Sequence, residues 1–388
     1  MYLLIIIFLF VLSYRYDING KQKNRNLFSN IVLAVFILMA GLRYRLGSDT
    51  PNYLDNFYYE YPKLSEFSWD FMTVGSDPLY KIINSIVISL GWKFYVVQLI
   101  ESFVVNFFIF KYIKKHCDYI FTCYLFYFLT CYFLFTMEIM RAAFSIVLSL
   151  YAYDFFQSGK WLKGFFLIIL AIFFHAQSLL LILAPSLMWL RFNKKGVLFL
   201  LVCYSTGKML QPIIGDYLLL LDISESTDKK LSYHLAGEQA FNFFGNFNYF
   251  SIHLLPLLIY TFFSLYYLKY RVKCKKTIWL EPLVMVGVAF ILCQASMPIF
   301  SRYVDYYRIY FVIAFSEVFV RLSQKNLNYK IIPLIVFLPF YFSLAYIFVK
   351  EDGYKYYPYS SVIDKKLDKN RERHYNENNR SGPSIYEY

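Results

Sequence analysis

Between an apolar run and a long polar connection stands the stretch Gly41-Leu42-Arg43-Tyr44-Arg45-Leu46-Gly47-Ser48-Asp49-Thr50-Pro51-Asn52-Tyr53. It delivers two arginines, an aspartate and two tyrosines at the mouth of a hydrophobic segment. Charge is expensive there, and an ionisable group at a membrane edge is a functional hypothesis by default. If the chain is extended, Arg43 and Arg45 point the same way, because side chains alternate with period two. They would form a double guanidinium fork suited to a phosphate or diphosphate. Asp49 could accept a proton, and Tyr53 could stack on or hydrogen-bond a bound group. Gly47 permits a turn, and Pro51 stops an arriving helix. The competing reading is two arginines snorkelling from a helix end.

Three further groups carry chemistry. Arg141 follows Glu138 by three positions, so the two could pair on one helix face. His175, in Phe174-His175-Ala176-Gln177-Ser178, is a candidate base, or else a hydrogen-bonded histidine of the core. Arg302, Tyr303, Asp305, Tyr306 and Arg308 form a late cluster, in which Arg302, Asp305 and Arg308 share a helical face. That cluster could be a structural ladder, yet two cations with one carboxylate between them leave one positive charge over. Taken with Arg43, Arg45 and Arg141, the reading predicts a cationic surplus opening outward and awaiting an anionic, membrane-borne substrate.

The elements that position these residues are apolar helices. Hydrophobic residues make up 59% of the 388 and charged residues only 17%, a balance that excludes an ordinary soluble domain. The net charge of +13 does not imply nucleic acid, because the basic residues collect in short loops between apolar runs, the positive-inside pattern. The six cysteines have no metal-ligand or disulfide spacing and read as small hydrophobes. No phosphate-cradling loop, zinc-protease or dinucleotide motif is present. No metal and no cofactor are expected.

In chain order, apolar segments run over Tyr2 to Leu12, Leu27 to Leu42, Phe94 to Phe110, Tyr119 to Phe135, Arg141 to Phe156, Val197 to Leu221, Tyr249 to Tyr267, Ile278 to Ala295, Ile309 to Val320 and Ile331 to Val349. Pro78 to Leu90 is too short to cross a bilayer and reads as interfacial or re-entrant. Gly164 to Leu190 reads as two short helices meeting near His175. The fold expected is all-α, a polytopic integral membrane protein with about 11–13 transmembrane or re-entrant helices. Residues 1–349 form the helical domain, with outer loops at about 43–77 and 222–248 (the second holding His234 and Glu238). Residues 350–388 are expected to be a polar, disordered tail. The charge pattern puts the N-terminus and the arginine stretch outside.

The Gly41–Tyr53 stretch resembles the GLRY-x-x-G-x-D-x-x-x-Y signature of the EpsG-like polysaccharide polymerases, relatives of the Wzy group. Met140-Arg141-Ala142-Ala143, Phe174-His175-Ala176-Gln177-Ser178 and the Arg302-to-Arg308 cluster resemble further motifs of that family, over about Tyr2 to Val349. Gln177 stands where the family often has a serine. The resemblance implies a membrane glycosyltransferase of exopolysaccharide, capsule or O-antigen synthesis. It would join oligosaccharide repeat units carried on undecaprenyl diphosphate, at the outer face of a bacterial plasma membrane. On that scheme Arg43, Arg45, Arg141 and Arg302 receive the leaving diphosphate, Asp49 or His175 takes the acceptor proton, and Tyr53, Tyr303 and Tyr306 hold sugars. Partners implied are the lipid-linked oligosaccharide, the bilayer, and a flippase and chain-length regulator of the same pathway, with no nucleic acid. A flippase or exporter of lipid-linked sugars and an O-antigen-type ligase are the rival readings.

Overall fold

The computed structural model describes residues 1–68, 71, 77–206, 255–273, 277–294, 300–325, 353–366 and 368–378. The expected outer loop at 222–248, the segment 331–349 and the polar interruption Gly207, Lys208 and Pro212 lie outside the described residues. Among the described residues the chain is helical, with one isolated antiparallel bridge, Arg43 to Ser361, and no strand. The chain divides into two compact units. Unit 1 comprises Met1–Leu183, Ser323–Lys325 and Phe340–Tyr388; unit 2 comprises Ala184–Leu322 and Asn326–Pro339.

Unit 1 is built from α1 (Tyr2–Leu12), α2 (Arg25–Gly41), α3 (Thr50–Asp55), α4 (Pro78–Ser89), α5 (Phe94–His116), α6 (Ile120–Tyr127), α7 (Met140–Gln157) and α8 (Trp161–Phe174). These bounds follow the apolar runs closely. Two wide π-type segments, Phe128–Tyr132 and Leu134–Glu138, extend α6 to the break at Ile139 that starts α7. Such widened turns concentrate near functional sites.

The helix α5 explains the packing. Its 23 residues rise about 34 Å, enough for a hydrocarbon core of about 30 Å. Gln98, Glu101, Ser102 and Asn106 recur at helical spacing and are all buried, while Phe103 and Phe107 of the same helix are exposed. Polar residues inside and apolar residues outside invert the order of a water-soluble helix. Exposed Leu3, Leu4 and Ile7 of α1 and Leu162, Phe166 and Ile169 of α8 continue this apolar exterior. Among the described residues α5 alone meets membrane-span criteria of length and hydropathy; α2, α8 and the helix Ile278–Gln294 are shorter apolar helices.

Close approach of α2 and α5 depends on Gly41, where an added Cβ would lie 2.6 Å from Leu99 Cδ2. Small residues permit such contact, and hydrogen bonds then hold it. Ser102 Oγ donates to Ile37 O (2.9 Å), and Tyr132 OH donates to Phe36 O (2.6 Å). Asn106 joins the same interior, accepting from Tyr127 OH at 3.2 Å.

One expectation is corrected by unit 1. The C-terminal segment was read as a disordered tail because it is poor in aliphatics. Its described parts are instead folded against the arginine stretch. Gly47 N donates to Lys355 O, Tyr44 N to Ser360 O and Val362 N to Leu42 O, each at 2.9 Å. The anchors are backbone groups and tyrosines, which a count of aliphatic side chains does not register. Tyr359 OH donates to Met39 O at 3.1 Å, and Tyr2 OH donates to Tyr356 O at 2.9 Å.

Unit 2 holds, among the described residues, helices over Leu255–Tyr266 and Thr277–Gln294 and the helix Arg308–Lys325 as far as Leu322. Lys269 Nζ pairs with buried Glu281 at 2.7 Å, and the same carboxylate accepts Phe192 N–H.

Candidate functional site

The arginine stretch is not an open fork. Arg43 closes the end of α2 and is 0% exposed. Its Nη1 donates to Ala40 O (2.6 Å) and its Nη2 to Met140 Sδ (3.2 Å). Arg45 sits at φ +52, in the left-handed region, so the side chains do not alternate as in extended chain. It pairs with Glu372 of the C-terminal helix Lys369–Asn378 and lies 5.3 Å from the Tyr44 ring centre. The same-side fork is therefore corrected: Arg43 turns into the bundle, and Arg45 turns to the C-terminal segment. Gly47, at φ +107, lets the backbone pass Met137 O, which a Cβ would approach to 2.1 Å. Asp49 is exposed and precedes α3 without capping it through its side chain.

A second group assembles around Asp77, a residue the sequence reading used only to bound a loop. Asp77 is 2% exposed and sits at φ +75 immediately before α4. An aspartate before Pro78 is the pattern of a helix cap, and this was the signal available. Its carboxylate is directed elsewhere. Asp77 Oδ2 accepts from Arg141 Nη1 at 2.7 Å, while Oδ1 lies 3.5 Å from His175 Nδ1 and accepts Ala176 N–H at 3.2 Å.

Each side chain is set by a break in a helix. Arg141 is on the first turn of α7, directly after the irregular backbone of Ile139. His175 ends α8 in an extended conformation (φ −158, ψ 109), and a 3₁₀ segment, Ala176–Leu187, follows. The predicted meeting of two short helices at His175 is thus observed. His175 Nε2 lies 3.1 Å from Gln177 Oε1, and Ser178 Oγ donates to His175 O at 2.7 Å. Gln177, the residue that departs from the family pattern, therefore holds the ring directly.

Tyr53 forms one wall. It is buried, 5.8 Å from the Tyr80 ring centre, and the Arg141 guanidinium lies 5.6 Å from its own ring centre. Burial pushes Tyr53 up to about 12, with Arg141 opposing, so the phenol stays protonated at neutral pH. Tyr61 is raised for the same reason. Lys81 is buried nearby, within electrostatic reach of Asp77, and its Nζ donates to Phe71 O at 2.9 Å. The Arg141 side chain keeps 35% exposure, so it can meet a ligand while Asp77 holds it. Chemically, this is a cation and an imidazole organised by one buried carboxylate, with a phenol beside the cation.

Other expectations change. Glu138 does not pair with Arg141; it accepts Ser48 N–H at 2.8 Å and the Tyr356 hydroxyl. Arg45, Arg141 and Arg308 each have a carboxylate of their own, so the cationic surplus is corrected at those three positions. Arg308 Nε donates to Asp305 Oδ1 at 2.5 Å, and burial raises Asp305 despite that cation. Arg302 is exposed, whereas Tyr303 and Tyr306 are buried, and Tyr303 stacks on Phe290 at 5.4 Å. This cluster belongs to unit 2, and Arg43, Arg45, Tyr53, Asp77, Arg141 and His175 to unit 1. Among the described residues no His, Cys, Asp and Glu grouping would hold a metal.

Glu101 was also missed. It is 0% exposed within α5, within electrostatic reach of Arg43, and neither carboxyl oxygen has a hydrogen-bond partner among the described residues. A single acid inside an apolar run was the signal.

The profile of the EpsG family matches residues 26–361, most of the chain, including Arg43, Arg45, Tyr53, Asp77, Arg141 and His175. The chain belongs to the EpsG family. This is a membrane protein family related to polysaccharide polymerases, so a role in polysaccharide biosynthesis follows. No match was found among curated proteins, and none among solved structures. Within the EpsG match, Arg43 to Tyr53 and the Asp77–Arg141–His175 group are separate features of one unit.

Proposed function

We propose that this chain is a multi-pass membrane glycosyltransferase that polymerises undecaprenyl-diphosphate-linked oligosaccharide repeat units at the outer face of the bacterial plasma membrane. The observation that carries this reading is the convergence of Arg141 and His175 on buried Asp77, with the Tyr53 ring 5.6 Å from the Arg141 guanidinium, in a chain of the EpsG family. The bond broken joins the anomeric carbon of one repeat unit to its diphosphate. The bond formed joins that carbon to a hydroxyl of the acceptor unit. His175 takes the hydroxyl proton at Nε2, which the acceptor hydroxyl reaches in place of Gln177 Oε1, with Asp77 facing Nδ1, setting the ring and stabilising the imidazolium. Arg141, preorganised by Asp77, faces the charge that develops on the leaving diphosphate. Tyr53 stays protonated and donates to a sugar or phosphate oxygen. His175 is preferred to Asp49 as base because Asp49 is exposed and outside this group.

In cells lacking the native gene, Asp77→Asn, Arg141→Ala and His175→Ala proteins should insert normally yet make at least about 100-fold less polymer, the scale of losing one preorganised group. Single repeat units should accumulate on lipid carrier. Normal long-chain polymer from Arg141→Ala and His175→Ala would sink the reading. Accumulation of finished chains on carrier would point to a ligase instead.

A further inference from the structure

We propose that the Arg45 guanidinium is an oxyanion seat that the chain fills with its own Glu372 carboxylate. Three observations support it. The backbone on both sides of Arg45 is fixed, by Tyr44 N to Ser360 O and by Gly47 N to Lys355 O, so the seat persists whatever occupies it. The Arg45 side chain is 10% exposed and that of Glu372 24%, so Glu372 is the member of the pair that reaches the surface. Glu372 holds the seat through Oε2, while Oε1 makes no hydrogen bond among the described residues. A carboxylate and a phosphate oxygen present similar geometry to a guanidinium fork, so a phosphate group can replace the one with the other. The strap that frames the seat, Gly353 to Ser361, falls within the family match. Glu372 lies beyond it. A ligand carrying diphosphate must therefore displace Glu372, and the C-terminal helix acts as a built-in competitor.

This inference rests on the reading of a phosphate-bearing substrate, but its test does not use polymer formation. Detergent-solubilised full-length protein is titrated with inorganic pyrophosphate by calorimetry, as wild type, as Glu372→Gln, and as Glu372→Gln combined with Arg45→Gln. Glu372→Gln should bind about tenfold more tightly, since one charge-assisted competitor is weakened, and Arg45→Gln should cancel the gain. Arg45→Lys, which keeps the charge but loses the fork, replaces Arg45→Gln if the latter does not fold, and should also reduce the gain. A parallel arm uses undecaprenyl diphosphate in nanodiscs. Tightening there alone assigns the seat to a lipid headgroup, and tightening in both arms to phosphate chemistry in general. No tightening in either arm, a gain that survives both Arg45 substitutions, or a Glu372→Gln protein changed only in unfolding temperature would each overturn the proposal. Failure of the polymerase reading is decided separately, by the Asp77, Arg141 and His175 variants.

Discussion

The Arg43–Asp49 stretch and the Asp77 group lie in the same unit and use arginine in opposite ways. Arg43 is 0% exposed and spends its donors on a helix carbonyl and a methionine sulfur, whereas the Arg141 side chain is 35% exposed and held from behind by a carboxylate. The first arrangement fixes a chain reversal; the second presents a charge. A dense motif can thus be the joint that sets geometry, while the residues it positions come from separate helix ends. The contrast predicts that Arg43 and Gly47 fail by losing the fold when mutated, and the Asp77 group by losing turnover.

The largest expected effect on folding is at Arg43. Arg43→Ala removes the guanidinium donor to Ala40 O, empties a fully buried volume, and removes a cation within electrostatic reach of Glu101. Losing a large, fully buried side chain together with its hydrogen bonds costs about 3–5 kcal/mol. The variant should show little protein in the membrane fraction and a much lower unfolding temperature in detergent. Arg141→Ala, by contrast, should retain normal abundance. If Arg43→Ala were abundant and stable but made no polymer, the division between joint and site would be wrong.

Gly47→Ala should be milder, at about 2 kcal/mol, because a left-handed backbone and a contact with Met137 O are both violated. The same thermal measurement checks it. Wild-type stability would mean that the loop relaxes freely and that Gly47 fixes nothing.

The helices were legible because their signal is continuous. Apolar runs bounded by basic loops marked α2, α5, α7 and the break at His175 to within a few residues. The site was half legible. Arg141, His175 and Tyr53 each stood out as polar groups at the ends of apolar runs, but nothing local in sequence joins Asp77 to residues 64 and 98 positions further on. The fork at Arg43 and Arg45 was misread because alternation assumes extended chain, and φ +52 at Arg45 breaks it. The C-terminal strap was invisible for a different reason: backbone hydrogen bonds carry no side-chain pattern.

The smallest effect separates the two regions most finely. Glu101→Gln keeps volume and shape and removes no hydrogen bond found among the described residues, so the stability change should stay within about 1 kcal/mol, and polymer yield should be unchanged. Glu101→Ala opens a cavity between α2 and α5 and should cost about 2–3 kcal/mol through lost packing alone. If Gln were as damaging as Ala, the carboxylate charge itself would be required beside Arg43. The Arg43 region would then contain a functional ion pair inside the bundle, and the distinction between a structural arginine and a presented one would have to be redrawn around Glu101.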